Sequence, residues 1–103
     1  MKEVPFWGPP SIKMKRYHLL IGGFVQGVGF RWYCQKIAKK LGLVGWVKNL
    51  SDGNVEILVE GEDSTIKEFL SQLKSGYLGK NISNIEIFEE KYCGEFNDFD
   101  IKF

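Results

Sequence analysis

The run G-F-V-Q-G-V-G-F-R, residues 23–31, is the point at which this chain changes its secondary structure. Before it, K-R-Y-H-L-L-I-G-G-F, residues 15–24, is rich in aromatic and aliphatic residues and ends in glycines, the pattern of a buried strand. After it, Phe30, Cys34, Ile37, Ala38 and Leu41 recur at helical spacing, Lys39 and Lys40 stand in the last turn, and Gly42 sits where a C-cap glycine belongs. A strand thus passes through a glycine-rich turn directly into an amphipathic helix.

Downstream, L-V-G-W-V-K-N and N-V-E-I-L-V-E read as two strands. Val55, Ile57 and Val59 alternate with Glu56, Leu58 and Glu60, and Asp52-Gly53 between the runs signals a hairpin, so the two strands are expected to be antiparallel neighbours. A second helix shows in Ile66, Phe69, Leu70 and Leu73, with Asp63, Ser64 or Thr65 as N-cap candidates and Gly76 beyond its end. I-S-N-I-E-I-F and F-D-I-K-F close the chain with period-two alternation. The order β, α, β, β, α, β plus a short terminal strand predicts an α+β, ferredoxin-like two-layer sandwich: a mainly antiparallel sheet with two helices on one face.

The chain has 103 residues, the size of one domain. Pro5, Pro9 and Pro10 with Gly8 deny regular structure to the start, which predicts a flexible N-terminal arm over residues 1–13 and a domain over residues 14–103. Hydrophobic residues make up 44% and charged residues 26%, close to globular averages, so disorder is not expected. A net charge of +1 gives no footprint for nucleic acid or an anionic membrane, and no apolar run is long enough to span a bilayer. The reading is a cytoplasmic protein, a monomer, with no nucleic-acid or membrane partner; Cys34 and Cys93 lack zinc spacing and are expected as free thiols.

A strand, glycine turn and helix in succession leave several backbone N–H groups without carbonyl partners, and the helix dipole adds partial positive charge. Such a cradle suits a phosphate. Gly27 and Gly29 let the main chain approach an anion, and Arg31 supplies a permanent charge with a bidentate fork. Taken alone, the glycines serve equally as a tight turn and the arginine as a solvated surface group. There is no G-K-[ST] to complete a nucleotide P-loop, and the third glycine of a dinucleotide fingerprint is missing.

G-F-V-Q-G-V-G-F-R, followed by L-G-L-V-G-W-V-K-N-L-S-D-G-N-V-E, residues 41–56, resembles the paired signature of the acylphosphatase family. The similarity runs in the same order from about Lys15 to the terminal F-D-I-K-F. The resemblance implies a small ferredoxin-like enzyme that hydrolyses the carboxyl-phosphate bond of acyl phosphates with no metal and no organic cofactor. It implies a main-chain phosphate cradle at Val25, Gln26, Gly27, Val28, Gly29 and Phe30, with Arg31 gripping the phosphate and Asn49 orienting the attacking water. Three departures stand out: Cys34 where the family often has threonine, S-G-Y-L-G-K in place of a glycine-proline pair, and the extra arm.

The chemistry fits a site that lacks a general base. The single histidine, His18, has no evident partner and reads as structural or surface-lying. A carboxylate, whose conjugate acid has a pKa of about 4, departs with little acid assistance. Phosphoryl transfer through a loose transition state then asks mainly for positioning and charge stabilisation. Asn49 is also an ordinary turn residue beside a hairpin, and Cys34 shares the apolar stripe of its helix as core filler. Two other readings are a non-catalytic regulatory or carbamoyl-phosphate-handling module, and an RNA-binding sheet using Trp32, Tyr33 and Trp46 as a stacking platform.

Overall fold

The computed structural model describes residues 13–103; the expected arm lies outside the described residues except for Lys13. The elements are β1 (Met14–Gly23), α1 (Phe30–Lys40), β2 (Val44–Asn49), β3 (Val55–Glu62), α2 (Asp63–Ser75), a short 3-10 turn (Gly79–Asn81), β4 (Ile82–Glu90) and β5 (Phe99–Lys102). The sheet order is β4-β1-β3-β2-β5. Every pairing is antiparallel except β2 with β5, which run parallel with Val47 opposite Ile101 and Lys48 opposite Lys102.

Alternation along each strand decides which face is buried. Leu19 and Ile21 of β1, Val47 of β2, Val55, Ile57 and Val59 of β3 and Phe99 of β5 point to one face and are inaccessible to solvent. Both helices pack there, α1 through Phe30, Tyr33, Cys34 and Ala38, α2 through Ile66, Phe69 and Leu73. A single core between one sheet and two helices is the expected two-layer arrangement.

The second helix starts differently from its sequence signals. Its N-cap is Glu62, not Asp63, Ser64 or Thr65. Glu62 still pairs with Met14 in the sheet, so the chain leaves the strand and enters the helix without a loop, and the strand's end sets the cap. Lys13 O accepts from Asp63 N at 2.9 Å, satisfying one of the free N–H groups of the first turn. Asp63 itself accepts from the Tyr17 hydroxyl at 2.9 Å.

The other face is not simply solvated. β4 and β5 are opposite edges of the sheet, roughly 19 Å apart at about 4.8 Å per strand, so residues 91–98 must cross it. They do so over Glu60, which is wholly buried: its carboxylate accepts from Cys93 N at 2.9 Å and Gly94 N at 3.1 Å and pairs with Arg16 at 3.4 Å. Arg16 in turn lies 5.6 Å from the Phe96 ring centroid. His18, on the same outer face, meets Glu56 at 2.5 Å, in keeping with a structural or surface role.

Candidate active site

Residues 24–29 connect β1 to α1. Val25 and Phe30 are anchored in the core, while Gly27 and Gly29 between them lie exposed. Gly27 (φ 77°) and Gly29 (φ 83°) occupy the left-handed region that side-chain-bearing residues avoid, and a Cβ at either would meet open space. The glycines are therefore required by backbone conformation, and the space beside them is free for a ligand. Gly29 is also the N-cap of α1, which has no side-chain cap and no acidic residue in its first turn. Among the described residues, the N–H groups of residues 25–29 donate to no protein acceptor. A short array of unpaired donors at an undiminished positive helix end is an anion-binding arrangement.

Two clamps hold this loop. Phe24 N donates to Asn81 O at 2.9 Å and Asn81 Nδ2 donates back to Phe24 O at 2.9 Å, which fixes its entry. In the middle, Gln26 Nε2 donates to the carbonyls of Leu50 at 2.7 Å and Asn54 at 2.8 Å. Those carbonyls belong to the turn that begins just after Asn49, where Asp52 also accepts from Asn54 N at 2.9 Å. The hairpin and the glycine loop are thereby fixed to each other.

A cavity of about 230 Å³ opens at this junction, lined by Val25, Gly27, Gly29, Phe30, Arg31 and Asn49 together with Trp32, Ile101 and Phe103. Six of the eight residues expected at the site thus share one cavity. The other two belong to the same loop but turn their side chains elsewhere: Gln26 to the hairpin, Val28 against the core. Asn49 has the same strand face as buried Val47, so its amide points to the helix side, and its buried Oδ1 has no partner among the described residues. Buried polar atoms are nearly always paired, and an orphaned one beside a cavity is free to bind a small molecule there. Arg31 donates through one terminal nitrogen to Lys102 O at 2.8 Å, and its guanidinium lies 4.7 Å from the Phe103 ring centroid. Arginine has five donors, so this bond leaves most of the fork available.

Sequence reasoning missed Ile101 and Phe103 as cavity walls and Asn81 as a clamp; all three meet the loop through contacts that cross most of the chain, with no local signal. The three aromatic residues weighed as a stacking platform do not assemble into one. Tyr33 is buried and donates to Leu73 O at 2.7 Å, Trp32 stands at the cavity, and Trp46 is on the outer face of the sheet under Lys102. Burial raises the Cys34 thiol pKa well above its ordinary value, so it stays protonated and inert at neutral pH, as core filler would.

The acylphosphatase family model matches residues 17–101. An acylphosphatase of Bacillus licheniformis is 38% identical over 90 residues, covering 87% of this chain and 100% of that protein. The acylphosphatase of Bacillus subtilis is 39% identical over 88 residues, 85% of this chain and 97% of that one. A crystal structure of acylphosphatase from Bacillus subtilis aligns with a TM-score of 0.80 at 37% identity, over 86% of this chain and 99% of that one. Full-length HypF in the phosphate- and nucleotide-bound form aligns at 0.77 and 32% identity over 90% of this chain, but only 12% of that one. With the strand, glycine loop, helix and hairpin in the same order across most of its length, this chain belongs to the acylphosphatase family.

Proposed function

We propose that residues 14–103 form an enzyme that hydrolyses acyl phosphates to a carboxylate and inorganic phosphate, using the backbone of residues 25–30 and Arg31 to hold the phosphate and Asn49 to orient water. The observation that carries this division of roles is the buried, unpartnered Oδ1 of Asn49 in the same cavity as Arg31 and the open loop. An amide both accepts from and donates to one water, which suits it to fixing the line of attack.

In the reaction, the water oxygen bonds to phosphorus as the bond from phosphorus to the acyl oxygen breaks. The electron pair leaves on the carboxylate, and a phosphate oxygen takes the water's proton. Inward N–H groups and the guanidinium stabilise the equatorial oxygens, and since the leaving group needs little protonation no strong acid is required of the protein. Cys34 and Cys93, both free thiols, suit a reducing, cytosolic setting.

A second reading, a phosphate-handling module acting within a larger assembly, draws support from the likeness to HypF. Turnover by the isolated chain separates the two. Benzoyl phosphate hydrolysis in excess EDTA is expected for the wild type. Arg31→Ala is expected to lose roughly a hundredfold or more, because charge-assisted hydrogen bonds contribute about 1.5 to 3 kcal/mol each and a fork makes two. A folded but inactive wild type would favour the module.

A further inference from the structure

The first free donor of the proposed cradle is the N–H of Val25, and the peptide that carries it is shared with Phe24. No cis peptide occurs among the described residues, and a trans peptide is planar, with the carbonyl of one residue and the N–H of the next pointing in opposite directions. Whatever holds the Phe24 carbonyl therefore aims the Val25 N–H. Val25 is pinned by its buried side chain, whereas the Phe24 side chain is 71% exposed and its backbone is held by hydrogen bonds instead.

Both of those bonds come from Asn81. Its carbonyl accepts from Phe24 N at 2.9 Å, and its Nδ2 donates to Phe24 O at 2.9 Å. The backbone bond needs no particular residue at position 81; the side-chain bond does. A methyl group or an ionised carboxylate there would leave the Phe24 carbonyl without that donor. Asn81 is itself firmly placed: it ends the 3-10 turn, its N–H donates to Leu78 O at 3.0 Å, and Gly79 N donates to Gly76 O at 2.9 Å, which ties the turn to the end of α2. Beside it the register of β1 and β4 slips between Gly22 and Gly23, and Gly23 (φ 131°) lies so close that a Cβ would run into Asn81 O. That close approach brings Asn81 to the entrance of the loop. Asn81 does not line the cavity, so it acts on the loop and not on the substrate.

We infer that Asn81 is a positioning residue for phosphate: by donating to the Phe24 carbonyl it sets the Phe24–Val25 peptide so that the Val25 N–H faces the bound anion, an inference that rests on the phosphate-site reading above.

The test follows the backbone amides of isotope-labelled protein by NMR during titration with inorganic phosphate, for wild type, Asn81→Ala and Asn81→Asp. Phosphate inhibition of benzoyl phosphate hydrolysis and urea unfolding are measured on the same samples. In the wild type the Val25, Gly27 and Gly29 amides are all expected to shift. In both variants the Val25 response is expected to shrink while those of Gly27 and Gly29 persist, and the inhibition constant to rise about tenfold, the size of losing one hydrogen bond to a charged group. A residue that only stabilised the fold would lower the urea midpoint and leave the Val25 response of the folded molecules unchanged. A wild-type Val25 amide that stays still while Gly27 and Gly29 move would overturn the inference without any variant. Either variant matching the wild type in both the Val25 response and the inhibition would do the same, and the phosphate reading would stand in each case. Wild type that neither hydrolyses benzoyl phosphate nor shows a loop amide responding would overturn the two together.

Discussion

Gln26 donates its side-chain amide to the Leu50 carbonyl at 2.7 Å, joining the glycine loop to the residue that follows Asn49. With the second bond to Asn54 at 2.8 Å, one side chain fixes the distance between the proposed phosphate cradle and the proposed water-orienting group. Gln26→Ala is expected to destabilise the fold by about 1 to 2 kcal/mol, at about 1 kcal/mol for each lost hydrogen bond. The turnover number is expected to fall by about tenfold, because misplacing a positioned group raises the barrier. Steady-state kinetics with urea unfolding on the same sample reads both, and an unchanged kcat would show that the tie has no part in positioning Asn49.

Asn49 Oδ1 has no protein hydrogen-bond partner among the described residues, so Asn49→Ala breaks no protein–protein hydrogen bond at that atom. The variant is expected to stay folded while losing most of its turnover. Its inhibition by inorganic phosphate should persist, whereas Arg31→Ala should weaken it. Equal weakening in both variants would contradict the assignment of phosphate to Arg31 and water to Asn49.

Cys34 is wholly buried with its thiol pKa pushed up by desolvation, and Cys93 is exposed. Iodoacetamide at neutral pH is expected to modify Cys93 in the native protein and to reach Cys34 only after unfolding. Activity should survive the native modification, since Cys93 lies beyond the outer face of the sheet, where its N–H meets Glu60. Mass spectrometry of digests made before and after denaturation gives the answer.

The Tyr17 hydroxyl, donating at 2.9 Å, is the main cause that holds the Asp63 carboxyl below its ordinary value, with Lys67 assisting. A folded-state pKa depressed below the unfolded value of about 3.9 contributes stability that is present above that value and is lost as pH falls through the folded one. Tyr17→Phe should therefore be less stable than wild type near neutrality, and the gap should narrow below about pH 3.9. Urea midpoints at neutral and acid pH test this; a gap that widens in acid would refute it.

Glu60→Ala is expected to destabilise by about 2 to 3 kcal/mol, because it leaves two backbone N–H groups unpaired beneath the crossing segment and takes one of the three carboxylates from around Arg16. The site is on the other side of the sheet, so kcat per folded molecule should hold. Chemical denaturation with parallel activity measurements distinguishes this from a change at the cavity.

Glu60 also marks where local reading reached its limit. In N-V-E-I-L-V-E it alternates with core residues and has the signature of a solvent-facing position, and nothing nearby indicates that residues 91–98 will cover it. The N-cap of α2 differs from its local signals for a related reason: Asp63, Ser64 and Thr65 are all good caps, but pairing of Glu62 with distant Met14 sets the boundary. Tyr33, weighed with Trp32 and Trp46 as part of a stacking platform, instead packs with its hydroxyl on the last carbonyls of α2.

What the sequence by itself determined were the features whose cause is local. The alternation in β3, the helical stripe of α1 and the positive-φ turn at Gly27 and Gly29 follow from residue size, spacing and permitted dihedral angles within a few neighbours. Only the tertiary structure decided what surrounds Arg31. Lys102 O and the Phe103 ring reach it because β5 pairs in parallel with β2, a contact between residues some fifty positions apart whose register no local preference encodes. The loop and Arg31 were legible in one short motif, whereas Ile101 and Phe103 reach the cavity only through the pairing of β5 with β2.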